Sequence, residues 1–311
     1  MLRLVLRRLV LAAPTVLATA TLVFLLIHLV PGDPVDVMLG ESARAADKEA
    51  LRHALGLDRP LPEQYGHFLL GLVKGDLGHS LVTGEAVTAE LARRVPATME
   101  LTAAALLVAL ILAIPSGVLA GARPGSWLDR GSSALALFGV SVPGFWLGPM
   151  LIMLFGIELR WLPVSGRGTA AHLVLPAVTL GLGMAAILTR ITRASILASL
   201  SEDCIRTARA KGVGPARILG RHAFCNALAP VITVVGLQLG ALLGGAVITE
   251  TIFAWPGVGR MTIDAINQRD YPVVQGCILV IAIAFVAANA LVDVAHAWID
   301  PRIGSASERG T

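Results

Sequence analysis

No lysine in this chain precedes serine or threonine: Lys48 is followed by Glu49, Lys74 by Gly75 and Lys211 by Gly212, and there are no other lysines. A glycine-rich phosphate loop ending in Lys-Ser/Thr is therefore excluded, and the chain holds no nucleotide by that route. HExxH, GxSxG and any close set of Cys and His are missing as well. Cys204, Cys225 and Cys277 form no CxxC and read as inert structural thiols, not as a disulfide framework. Charge is scarce too, with 15% charged against 55% hydrophobic residues in 311, which sets the chain apart from ordinary soluble domains. The net charge of +4 is spread over loops, so it reads as membrane topology and not as affinity for nucleic acid. There is no internal repeat and no low-complexity tract.

What the sequence has instead is apolar runs of about 20 residues, the length that crosses a hydrocarbon core of roughly 30 Å. The first, Leu9 to Val30, follows Arg3, Arg7 and Arg8. It resembles a signal peptide but is too long, and Pro31-Gly32-Asp33-Pro34 follows it in place of a small-residue cleavage site. We read it as a retained span with Pro14 near its start. Further spans are expected at Met99–Leu119, Leu135–Phe155, Leu173–Leu188, Val231–Val247 and Gln275–Ala297. Pro143-Gly144 and Gly148-Pro149 predict a bent third span, and the fourth is expected to begin at Pro176.

Residues 31–98 are too long for a connector and predict a small extracytoplasmic domain or lid. Its amphipathic pieces are Ala45–Leu55 and Pro62–Val73, with Leu51, Leu55, Tyr65, Phe68, Leu69 and Leu72 as buriable positions and a turn at Gly75–Gly78. Basic residues test the threading. Fourteen, from Arg3 through Arg206, Arg209, Lys211, Arg217 and Arg221 to Arg309, fall on the side of the termini. Only Arg160, Arg167, Arg260 and Arg269 fall in short loops on the other. By the positive-inside rule this predicts an all-α membrane protein of six transmembrane helices with both termini cytoplasmic. The predicted division is 1–30, N-terminus and first span; 31–98, external loop; 99–297, transmembrane core; 298–311, cytoplasmic tail.

One polar stretch interrupts the core, residues 201–230, SEDCIRTARAKGVGPARILGRHAFCNALAP. Gly212 suits a helix C-terminus and Pro215 the first turn of the next helix, so two short helices are expected. Ile205, Ala208 and Gly212 share one face of the first, and Ile218, Leu219 and His222 one face of the second. A basic knuckle of this kind serves either as a docking surface for another protein or as a loop binding lipid headgroups. His28 in the first span reads as a pore-lining or satisfied polar residue. Asp293 and His296, one turn apart, read as a proton relay or as residues snorkelling to water. An ion-driven carrier needs several buried ionisable groups, which are few here.

Asp203–Pro230 resembles the cytoplasmic coupling loop of type I ABC importer permeases, nearest to the peptide/nickel branch. The residues that carry the likeness are Ile205-Arg206-Thr207-Ala208-Arg209-Ala210-Lys211-Gly212 and Asn226-Ala227…Pro230. Three further stretches agree: Pro31–Pro34; Thr249–Gly259 with Arg269–Gly276; and Leu291-Val292-Asp293…Asp300–Ile303. The resemblance spans nearly the whole chain and matches the dipeptide/oligopeptide permease subunit with a long external loop. The wider family's Glu-Ala-Ala reads Arg206-Thr207-Ala208 here, and Cys225 stands where the branch commonly has a basic residue.

The resemblance implies a type I ABC importer permease fold in a bacterial plasma membrane. It implies alternating access for peptides, a second similar permease, two ATPase subunits, and an extracytoplasmic binding protein. ATP and Mg would be bound by those ATPases, with no cofactor or metal in this chain and no catalytic residue. Coupling would fall to Glu202, Asp203, Arg206, Thr207, Ala208, Arg209, Lys211, Gly212, Arg217, Ile218, Arg221 and His222. Gly236, Gly240 and Gly244 recur every four residues in the fifth span, as static packing or a moving seam. That span would line the pathway, with Gln238, Gly240, Gly244 and Glu250 as candidates. Trp255, Pro256 and Gly257 would meet the binding protein or merely cap the span. The alternative is an ion-coupled secondary transporter or channel for another small solute.

Overall fold

The computed structural model describes residues 13–25, 35, 40, 43–54 and 58–299; the side chains of Leu51, Ala241, Asp293 and residues 295–299 are not among them. His28, Pro31–Pro34, Leu55, the Asp293 and His296 side chains and the tail from Asp300 lie outside the described residues. Helices dominate: α1 Ala13–Leu25, α2 Ala45–Ala54, α3 Leu61–Lys74, α4 Val87–Ala122, α5 Trp127–Ser141 and α6 Gly144–Leu151. They continue with α7 Ala170–Leu200, α8 Asp203–Ala210, α9 Pro215–Arg217, α10 Phe224–Ile252, α11 Val258–Gln268 and α12 Tyr271–Ile299. Among the described residues the only β pairing is an isolated bridge between His79 and Ala86.

Among the described residues four helices are long and apolar enough to cross a bilayer: α4, α7, the helix through α9 into α10, and α12. A fifth candidate is the pair α5 and α6, bent by 102°. The bend has a local cause. Proline disfavours helical backbone in the residue before it, and Val142 is extended at φ −88°, ψ 116° ahead of Pro143. The third span is bent as expected, and α6 runs on through a π-helical turn, Ile152–Glu158. The fourth span starts six residues before Pro176, at Ala170, with Thr169 N–H donating to His172 Nδ1 at 3.2 Å. Two differences from expectation are larger. Residues 87–98, placed in the external loop by sequence, are the first three turns of α4. The second short helix of the polar stretch is also not separate: α9, a π-helical turn Ile218–Ala223 and α10 follow without a break.

The described residues fall into two compact units, those within 99–255 and 287–299 in one, those within 13–98 and 256–286 in the other. In the first, α4, α7 and α10 share a core of Ala105, Ala109, Ala113, Met184, Ala185, Leu188, Val231 and Leu242. The small residues of α4 recur every four positions: Ala105, Ala109, Ala113, Gly117, Gly121. That row lets backbones meet. A Cβ on Gly117 would lie 2.6 Å from Thr192 Cβ and 2.9 Å from the Thr189 carbonyl, and one on Gly121 2.8 Å from the Arg193 carbonyl. From the other side, a Cβ on Gly181 would lie 2.6 Å from the Ala105 carbonyl. The glycine row expected in the fifth span is different: Gly236 is closed against Val292 while Gly244 faces open space.

In the second unit Val87 and Leu91 pack with Val258, Met261, Ala265, Val273, Val274 and Cys277. Asp270, 2% exposed, accepts a 2.5 Å hydrogen bond from Ser80 Oγ, which ties the 79–86 turn to the start of α12. The α3 helix ends at Gly75 (φ 75°), and Gly78 N–H donates to Asp76 Oδ1 at 2.9 Å, the turn expected there. Overpacking a filled seam costs about 1–3 kcal/mol. Gly117→Leu is therefore expected to lower the Tm of the detergent-solubilised protein by several degrees, whereas Gly131→Ala, on a helical glycine with open surroundings, does not lower it. Thermal unfolding followed by fluorescence separates the two.

Candidate functional site

The polar stretch folds as an elbow between α7 and α10. Its turn follows from two residues. After α8, Gly212 takes φ 75°, Val213 N–H donates to the Ala208 carbonyl at 3.1 Å and Gly212 N–H to the Arg209 carbonyl at 3.0 Å. That is a Schellman cap, which only a residue free to adopt left-handed backbone closes without strain. Pro215 then opens the next helix, where its missing N–H is not needed.

Beneath the turn lies an apolar seat. Ile205 (0% exposed), Ala208 and Ile218 (4%) cluster with Leu200 and Val213. A neighbouring cluster joins Ile196, Ala223 and Ala227 with Val118, Leu200, Leu219 and Phe224. Leu200 belongs to both, so the elbow, the end of α7 and the start of α10 are packed as one body. Truncating a buried Ile in such a seat costs about 2–5 kcal/mol. Polar contacts reinforce it: Glu202 Oε2 accepts from Asn226 Nδ2 at 3.0 Å, which ties the start of α8 to the start of α10.

The opposite face is a basic crown. Arg206, Thr207, Arg209, Lys211, Gly212, Arg217 and Arg221 are exposed, as are Glu202 and Asp203, while His222 is half-buried. Arg206 reaches Asp203 at 2.8 Å, but both side chains are 84% exposed, and such a pair is worth little to stability. Of the residues expected to meet a partner, Ala208 and Ile218 differ: they face inward and form the seat.

An ion pair not anticipated from the sequence lies beside the elbow. Arg193 of α7 grips Asp129 of α5 with two nitrogens, Nε on Oδ1 and an Nη on Oδ2 at 2.9 Å. Asp129 is 5% exposed and also accepts from Gly125 N–H at 2.8 Å. Bidentate, partly buried pairs of this type are strong and directional, so the loop from α4 to α5 is fixed on α7. The signal was an acidic residue just inside a helix start, Asp129 after Ser126, and an arginine late in an apolar helix.

At the other end of α7 the loop before it makes a second cluster. Arg167 donates through Nε (2.8 Å) and Nη (2.6 Å) to Glu100 Oε2, and its guanidinium lies 5.9 Å from the Trp255 ring centre. Gly166 N–H reaches the Phe253 carbonyl at 2.9 Å. Trp255 and Phe253 are wholly buried, so the Trp255 side chain is a packing seat and not a presented group; Pro256 is half-buried and Gly257 buried. Glu250 is fully buried, and its carbonyl accepts from Trp255 N–H at 2.8 Å. Gln238 and Gly240 are half-buried and Gly244 exposed along α10. The structure thus brings the coupling candidates together in the elbow, all but Ala208, Ile218 and the half-buried His222 on its exposed face, and sets Gln238, Gly240, Gly244 and Glu250 along α10. Among the described residues no group of His, Cys, Asp and Glu is arranged to hold a metal ion.

Cys204 sits in the crown and donates to Glu202 Oε2 at 3.4 Å. That hydrogen bond and the carboxylate's charge raise its thiol above the ordinary range. Glu202→Gln keeps an acceptor for Asn226 and removes the charge, so the thiol pKa falls. In a Cys225→Ser background, alkylation of Cys204 at fixed mildly alkaline pH is expected to quicken and its pH–rate profile to move to lower pH. An unchanged profile contradicts the contact.

Comparison with known proteins agrees with this geometry. Residues 113–305 match the family model described as binding-protein-dependent transport system inner membrane component, and residues 1–102 that of the N-terminal membrane component of such systems. The chain is 44% identical over 303 residues to the glutathione transport system permease protein GsiC of Pectobacterium atrosepticum, covering 97% of this chain and 99% of that protein. It is 46% identical over 335 residues, with the same coverage, to the di/tripeptide transport system permease protein DppB of Pseudomonas aeruginosa. Among solved structures, inward-facing MetNI methionine ABC transporter chains share the fold, one at TM-score 0.57 and 20% identity over 68% of this chain and 96% of that chain. The chain belongs to the binding-protein-dependent transport system inner membrane component family.

Proposed function

We propose that this chain is the permease subunit of an ATP-driven importer that takes up small peptides by alternating access across a bacterial plasma membrane. The observation that carries the reading is the elbow: an exposed basic crown on an apolar seat that is shared with α7 and α10. A docking surface of this build passes displacement to the spans instead of absorbing it. Two ATPase subunits, which bind ATP and Mg, dock on the crown through Arg206, Thr207, Arg209, Lys211, Arg217 and Arg221. Glu202 and Asp203 shape its entry, and Ala208, Gly212 and Ile218 hold its form from within. Closure of the ATPases on ATP moves the elbow and flips access between two states.

In this reading six spans with both termini cytoplasmic pair with a second, similar permease to enclose one pathway, lined in part by α10 near Gln238, Gly240 and Gly244. The extracytoplasmic binding protein delivers cargo near the Pro256–Gly257 turn, where Trp255 and Arg167 set the loop. The names of the relatives, glutathione and di/tripeptide permeases, support peptides as the substrate class.

Non-glycine residues in left-handed backbone cost about 1–2 kcal/mol. Gly212→Val is accordingly expected to leave the protein in the membrane while peptide uptake falls at least tenfold and the ATPase subunits co-purify poorly or hydrolyse ATP without transport. Transport and ATPase assays in proteoliposomes measure both; normal coupled uptake in that variant would overturn the reading.

A further inference from the structure

We propose that α3 lies at the outer boundary of the membrane, with one apolar face on lipid acyl chains and its polar strip among the headgroups. This rests on the reading above that α1 and α12 cross the bilayer.

At 100° per residue the helix carries three arcs. Tyr65, Phe68, Leu69 and Leu72 form the first and pack inward. Tyr65 OH and Thr21 Oγ1 are 2.7 Å apart, the Tyr65 and Phe68 rings lie 5.2 and 5.6 Å from Phe24, and Phe68, Leu69 and Leu72 join Ala20, Val23 and Leu279. Pro62, Gly66, Leu70 and Val73 form the second arc. It points away from the protein, with Leu70 57% and Val73 87% exposed. Glu63, His67 and Lys74 form the third, also exposed.

The level of α3 decides what the second arc meets. Thr21 and Phe24 lie inside the apolar run that ends at Val30, and Leu279 lies about 12 Å along α12 from Tyr271 at 1.5 Å per residue. A helix seated against the interior of one apolar run and two turns down another is level with hydrocarbon, not with water. Leu22 of α1, in the same apolar run, is likewise exposed, at 65%. The third arc sets the limit of depth: Glu63, His67 and Lys74 have to reach water or headgroups. A helix that carries both arcs side by side lies in the interface plane.

Spin labels test this in the full chain, assembled with its partner subunits in vesicles of phosphatidylethanolamine and phosphatidylglycerol, with the native cysteines replaced by serine. Labels follow Leu70→Cys, Val73→Cys, Glu63→Cys, His67→Cys and, on α1, Leu22→Cys. Collision with oxygen, which partitions into lipid, is expected to exceed collision with water-soluble nickel chelate several-fold at 70, 73 and 22, and the order is expected to reverse at 63 and 67. Nickel access at 70 and 73 with lipid exposure at 22 overturns this proposal alone. Shielding of 70 and 73 from both reagents also overturns it and assigns the face to a protein neighbour. Nickel access at 22 overturns the span reading of α1 and this proposal with it.

Discussion

Leu200 is the residue on which the rest of the elbow depends. It lies in the apolar cluster under α8 and also in the one that joins α4, α7 and the start of α10. Burying an aliphatic side chain contributes about 1.5–3 kcal/mol, and here each such contribution is shared between the elbow and a span. The elbow therefore has no independent core and no soft joint. In the proposed function, a push on Arg209 or Lys211 therefore passes into α7 and α10. The polar ties act in the same sense: Glu202 with Asn226 closes the elbow across its mouth, and Asp129 with Arg193 fixes the α4–α5 loop on α7.

Stiffness along α7 has a second source. The row Ala105, Ala109, Ala113, Gly117, Gly121 brings the backbones of α4 and α7 into near contact at several levels, so the two helices cannot slide without a clash. At the far end, Arg167 is held between Glu100 and Trp255. That cluster sets the loop between α6 and α7 on the end of α10, and its fully buried Trp255 explains why so large an aromatic stands in an otherwise turn-rich segment. Alternating access in this account moves α4, α7 and α10 as one body, with bends confined to breaks such as Val142–Pro143.

Much of this was legible in the sequence because a few residues dictate backbone. Gly212 and Pro215 predicted the turn, Pro143 the bend, and the apolar runs the long helices. Tyr65, Phe68, Leu69 and Leu72 were read as buriable, and they pack on α1. The boundaries were less legible, because helix continues past the apolar run wherever tertiary packing supports it. Residues 87–98 are polar enough to read as loop, yet Val87 and Leu91 are buried against α11 and α12. The direction of Ala208 and Ile218 was visible as a shared face, but not whether that face met a partner or the chain itself. The seam on α4 is not legible in the sequence, because alanines every four residues in an apolar run look like filler, whereas the glycines of α10 stand out. Ion pairs such as Asp129 with Arg193 join residues 64 positions apart, and a single sequence carries no sign of which acid meets which base.

The most direct test of rigid transmission is a pair of spin labels at the exposed positions Arg209 and Thr233, one on the elbow and one on α10, measured by pulsed electron resonance in the assembled transporter. The account predicts one narrow distance distribution that stays fixed through nucleotide-free, ATP-bound and post-hydrolysis states, while a label on an ATPase subunit moves relative to Arg209. A distribution between 209 and 233 that broadens or shifts with nucleotide would contradict it.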